Sequence, residues 1–274
     1  MTYKTLLAHL ELGRPNACVL AAAKALAEKF DARVIGVAAS QPIQILYAEV
    51  YAAGDLLKMD RDQIEAEIAK AQTEFQSALG PLALDWRTFV TSRPLSDCIA
   101  GEARAADLIL TAPDIGGAPF EATRRTVVGD LVMRAGRPVI IAPDRKTPFA
   151  SDHILVAWRD TREARRAVAD AAPLLAAARK VSVVEVAGKA DAPDARRRVD
   201  DVASWLSRRG IAAEAQVHLA RGSDAHEIAH VAQETSADVV VAGAYGHARF
   251  QEWMFGGVTH DLLMHPTRPV FLSH

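Results

Sequence analysis

The chain has 274 residues, half of them hydrophobic and 24% charged, a balance that fits one large or two ordinary globular domains around a buried core. Net charge is −2 with histidine neutral, so no overall positive field draws the chain to nucleic acid or anionic lipid. Charges interrupt every apolar run short of the roughly 20 residues that cross a bilayer. Met1-Thr2-Tyr3-Lys4 shows no signal-peptide pattern, and Cys18 and Cys98 form neither CxxC nor a disulfide framework. The expected compartment is the cytoplasm.

In chain order, β-branched runs predict strands at Thr5–His9, Arg33–Ala39, Leu84–Val90, Leu108–Thr111 and Pro138–Ile141. Five more follow at Ile154–Trp158, Val181–Val186, Ala213–Leu219, Val239–Ala242 and Pro269–Leu272. Between them, apolar residues at three- and four-residue spacing predict helices such as Ala17–Lys29, Asp60–Leu79, Arg162–Arg179 and Asp194–Arg208. Strands alternating with helices of this length imply right-handed crossovers and a parallel sheet, hence an α/β class.

The order repeats. Ala106-Asp107-Leu108-Ile109-Leu110 resembles Ala237-Asp238-Val239-Val240-Val241, an offset of 131 that also carries Arg137-Pro138-Val139 onto Arg268-Pro269-Val270. Near the start, Leu6-Leu7-Ala8-His9 resembles Leu155-Val156-Ala157-Trp158, an offset of 149, so the first half carries a net 18 extra residues. Two domains are expected, 1–143 and 152–274, with the proline-bearing stretch between them as linker. The extra length is expected in Gln41–Asp60, where Ile43, Ile45, Leu46, Tyr47, Val50 and Tyr51 suit either a flap over the core or a lid or docking surface.

After Val239-Val240-Val241 the chain reads Gly243-Ala244-Tyr245-Gly246, nine residues beginning with His247, then Gly256-Gly257-Val258-Thr259. In an open parallel sheet ligands bind outside the carboxyl ends of the strands. Glycines there let backbone N–H groups approach a phosphate, and a helix N-terminus favours an anion. The same letters also describe two glycine turns with Thr259 as an N-cap.

Here the sequence resembles the universal stress protein family, whose ATP-binding members carry G-x-x-G, nine residues, then G followed by Ser or Thr. Gly243, Gly246 and Gly256 match, Gly257 stands where the family has the hydroxyl residue, and Thr259 lies two positions on. The resemblance implies two tandem Rossmann-like domains of the adenine nucleotide alpha hydrolase type, each a five-stranded parallel sheet with helices on both faces. It implies ATP or a related adenine nucleotide, with Mg2+, held in the second domain by Asp160, Thr161, Gly243, Gly246, His247, Gly256, Gly257, Val258 and Thr259. At the end of the first strand of that domain, Arg159 takes the place of the family's Asp and Asp160 follows one residue later. Asp160 or Thr161 serves equally as a helix cap. No general base stands beside the phosphates, so at most a slow ATPase is expected and no catalytic residue is assigned.

At the 131 offset, Gly243, Gly246, Gly256 and Gly257 fall on Ala112, Ile115, Arg125 and Thr126, so the first domain is read as degenerate, with Arg124 and Arg125 as a solvated pair. His226-Glu227-Ile228-Ala229-His230 spells the zinc metalloprotease motif HExxH. At helical pitch Ala225, Ile228, Ala229 and Ala232 take the packing face, so His226 and His230 point away, fit for no more than a weak surface metal site. The leading expectation is a cytoplasmic stress-response or signalling module that binds an adenine nucleotide. The alternatives are a nucleotide-free dimerisation or partner-binding scaffold and, remotely, the protease. The halves form an internal pseudo-dimer, and their closing strands Val139–Ile141 and Val270–Leu272 are free to pair with each other or across a homodimer.

Overall fold

The computed structural model describes residues 2–43, 50–114, 124–144, 148–245 and 266–274. The first half contains β1 (Thr5–His9), α1 (Ala17–Phe30), β2 (Arg33–Ser40), α2 (Val50–Leu79), β3 (Ala83–Val90), α3 (Leu95–Glu102), β4 (Leu108–Thr111), α4 (Val128–Arg134) and β5 (Val139–Ile141). The second contains β6 (His153–Ala157), α5 (Arg162–Asp170), α6 (Ala172–Ala176), β7 (Lys180–Ala187), α7 (Ala192–Ser207), β8 (Glu214–Leu219), α8 (Asp224–Glu234), β9 (Val239–Gly243) and β10 (Val270–Ser273). The expected helix Arg162–Arg179 is two helices, because Pro173 lacks the N–H that would continue the ladder.

All ten strands join one sheet in the order β3-β2-β1-β4-β5-β10-β9-β6-β7-β8. Every pairing is parallel except β5 with β10, which is antiparallel. The closing strands therefore pair with each other inside one chain, and the carboxyl ends of the two halves face opposite edges. One apolar layer runs unbroken across the seam through Leu108, Ile140, Phe271 and Val241. No described helix is long and apolar enough to cross a membrane.

The repeated Ala-Asp pair has a structural job. Asp107 Oδ2 accepts the N–H groups of Lys4 and Thr5, at 2.7 and 2.9 Å. Asp238 Oδ2 accepts those of Asp152 and His153, at 2.8 and 2.9 Å. Each carboxylate clamps the start of its half's first strand beside the fourth.

The ladders also correct the repeat. Leu6 pairs with Leu108 as Ile154 pairs with Val239, so the opening strands are offset by 148, not 149, and the net insertion is 17 residues. A slip of one would turn every side chain to the opposite face. With the right offset, Leu6, Ala8 and Leu10 share one core face with Ile154, Val156 and Trp158. The insertion lies in the expected crossover but takes the form of a longer helix, 30 residues in α2 against 16 in α7. Ile45, Leu46 and Tyr47 lie outside the described residues.

Candidate functional site

The second half's carboxyl edge gathers around β6 and β9. From β6 the chain crosses to β7 on one side, while β9 pairs with β10 on the other, so the crevice above β6 and β9 is the topological switch point of this half.

Beyond β6, the Trp158 N–H bonds the Val184 carbonyl at 2.7 Å, and Thr161 N–H bonds the Arg159 carbonyl at 2.7 Å to close a tight turn. Thr161 is the N-cap of α5, its hydroxyl accepting the Ala164 N–H at 3.2 Å. Asp160 is half-exposed and receives a hydrogen bond from Arg165. Arg159, in the family's Asp position, reaches the first turn of α8 and pairs with Asp224 at 2.7 Å. The Trp158 indole is 8% exposed and packs into the core, its N–H without an acceptor among the described residues.

Gly243 ends β9 on this edge, and its bareness has a cause the sequence did not display. A Cβ there would lie 2.4 Å from the Ala164 nitrogen and 2.6 Å from the Glu163 carbonyl carbon. The space is taken by the first turn of α5, so this glycine admits a helix backbone. The positive φ of the turn falls on Tyr245, at 60°, a conformation that side chains seldom adopt. Asp160, Thr161 and Gly243 thus meet at one edge. Gly246, His247, Gly256, Gly257, Val258 and Thr259 lie outside the described residues.

Glu163 was missed by sequence reading. It is 5% exposed in the first turn of α5, beside Gly243. Burial pushes its carboxyl up, but its own backbone N–H and Arg162, at 2.8 Å, outweigh this and hold it below the usual carboxylate range. An acidic residue in the first turn after a Thr cap was the available signal. The α5 N-terminus is therefore already neutralised by its own cap and carboxylate.

The HExxH segment forms part of α8. Ser223 caps it by accepting the His226 N–H at 3.3 Å, and Glu227 accepts the Arg221 N–H at 3.1 Å. His226 and His230 are exposed, as expected, and His230 lies 3.4 Å from Glu234. The buried face is Ala225, Ile228, Val231 and Ala232, with Val231 taking the place expected for Ala229, which is exposed. Among the described residues no group of three or more His, Cys, Asp or Glu could hold a metal.

The first half's edge is filled with side chains. His9, the last residue of β1, is 1% exposed, with Nδ1 2.8 Å from Thr111 Oγ1 and Nε2 3.3 Å from Thr126 Oγ1. Its burial lowers its pKa to about 4. Glu11 is also buried and pairs with Arg14 at 3.3 Å; burial pushes its carboxyl up. Arg124 is not part of a solvated pair. It bonds Asp60, itself buried in α2. Ile115, Gly116 and Gly117 lie outside the described residues.

Ten strands built as two like halves, with a glycine-bounded switch point in the second, define a doubled Rossmann-type α/β protein. Residues 150–274 match the model of the universal stress protein family. Over 98% of its length the chain is similar in structure to a universal stress protein from Archaeoglobus fulgidus DSM 4304, at 15% identity, 95% coverage of that chain and a TM-score of 0.70. A functionally unknown protein from Pseudomonas aeruginosa PAO1 matches 99% of this chain and 92% of its own, at 17% identity and a TM-score of 0.62. No curated protein sequence matches. The second half thus carries a universal stress protein domain by sequence, and the chain as a whole shares the fold of these structures.

Proposed function

We propose that the second half binds an adenine nucleotide at the edge formed by β6 and β9 and that the chain serves as a stress-response or signalling module. The observation that carries this reading is the position of the glycine pattern: Gly243 opens it at the carboxyl end of β9, beside the strand that starts this half. The described part of the edge suits such a ligand. Asp160 keeps a half-exposed carboxylate that can accept ribose hydroxyls, and the exposed Arg162 stands nearby at the start of α5. The triphosphate would lie on Gly246, His247, Gly256, Gly257, Val258 and Thr259, where backbone N–H groups supply the donors and Mg2+ offsets charge. Thr161 and Gly243 act by shaping the turn, since the hydroxyl is engaged by the helix and the glycine by the α5 backbone.

Isothermal titration with ATP and Mg2+, beside a Gly246→Val variant, tests the reading. Heat from the wild type that the substitution abolishes is expected. No heat from the wild type leaves a nucleotide-free scaffold, and heat that survives the substitution puts the site elsewhere.

A further inference from the structure

The two halves differ sharply at equivalent positions of their carboxyl edges. His9, Thr111 and Thr126 in the first half correspond to Ala157, Ala242 and Gly257 in the second. An imidazole and two hydroxyls stand where the other repeat has two methyl groups and a hydrogen. We propose that the first half's strand edge is a ligand site filled from within, the His9 ring taking the volume that a bound group would need.

The chemistry closes on itself. A neutral imidazole donates from one ring nitrogen and accepts at the other, and each threonine hydroxyl can meet either role. With hydroxyls at 2.8 and 3.3 Å, both ring nitrogens are partnered without water or ligand. The surroundings hold the plug in place. Asp60 of α2 takes the Arg124 guanidinium on one oxygen and the Ile43 N–H on the other, at 2.9 Å, so the long helix is tied to the segment that leads into α4. Glu11 and Arg14 pair just beyond β1, and Asn16 fastens that loop by bonding the Glu11 N–H at 2.9 Å and the Glu11 carbonyl at 3.0 Å. The carboxyl edge of the first half is thereby converted into core, whatever the second half binds.

The test is cavity rescue in the full chain. His9→Ala should lower the melting temperature by roughly 10 °C, the effect of emptying a buried site in a chain of this size. Millimolar imidazole should restore at least half of that loss and leave the wild type unmoved. A variant that melts with the wild type, or that imidazole does not raise, overturns the proposal. Nitrogen-15 histidine NMR of the wild type provides a measurement that does not depend on the variant folding. The His9 ring should remain one neutral tautomer between about pH 8 and about pH 5; a ring that titrates at its ordinary midpoint overturns the proposal equally.

Discussion

Ile140 pairs with Phe271 across the antiparallel seam, and at the repeat offset each is the other's equivalent. Ile109 N–H bonds the Pro138 carbonyl and Val240 N–H bonds the Pro269 carbonyl, both at 3.0 Å, which fixes that offset at 131 on both sides. A pseudo-two-fold axis therefore runs between these two side chains. Such self-matching is what a symmetric dimer interface requires, and here one chain satisfies it internally.

The chain should accordingly be monomeric, with sedimentation equilibrium giving about 29.5 kDa. Phe271 is fully buried at the axis, so Phe271→Ala should cost about 3–5 kcal/mol in urea unfolding and leave the mass unchanged. A native dimer that Phe271→Ala converts to monomer would place the seam between chains.

Gly243→Ala separates packing from ligand contact. Its Cβ would meet the α5 backbone at 2.4 Å, which cannot give as a flexible side chain does. The ligand-free protein should lose about 1–3 kcal/mol of stability, read by urea unfolding. Unchanged stability without nucleotide would mean that this glycine serves the ligand alone.

The ten strands were legible because Val, Ile and Leu runs flanked by turn residues leave little choice. The short helix α4 was not anticipated, since it offers only about two turns of periodicity. α2 begins at Val50, ten residues before the expected Asp60. The opening repeat was misaligned by one because Leu-Leu-Ala matches Leu-Val-Ala in letters, while facing is decided by the ladder. Gly243 meets Ala164, nearly 80 positions away, and no local pattern announces such a contact. Identical letters also hid a difference. Arg268 is buried and bonds the Ala232 carbonyl at 2.8 Å at the end of α8, whereas Arg137 is exposed.

His9 makes stability depend on pH. Its folded pKa, about 4, lies below the ordinary 6.5, so between these values an unfolded chain binds a proton that the folded chain refuses. The contribution is complete above pH 6.5 and is lost as pH falls toward about 4, amounting to roughly 3 kcal/mol. Urea unfolding at a series of pH values, with His9→Gln as reference, isolates it. The reference also cancels Glu11, whose raised pKa acts in the opposite direction. Parallel curves for the two proteins would contradict the buried neutral ring.

The histidines of α8 should be dispensable for metal. Chain purified without an affinity tag should carry only trace zinc by mass spectrometry, and His226→Ala should change stability by no more than about 0.5 kcal/mol, as is usual for exposed positions. Stoichiometric zinc would revive the protease reading.

Equilibrium dialysis of the intact chain against saturating radiolabelled ATP with Mg2+ bears most directly on the division of labour between the halves. One nucleotide bound per chain is the expected stoichiometry, with the His9 edge closed and the β6–β9 edge open. Two per chain would mean that the first edge opens to ligand, and none would remove nucleotide binding from this protein.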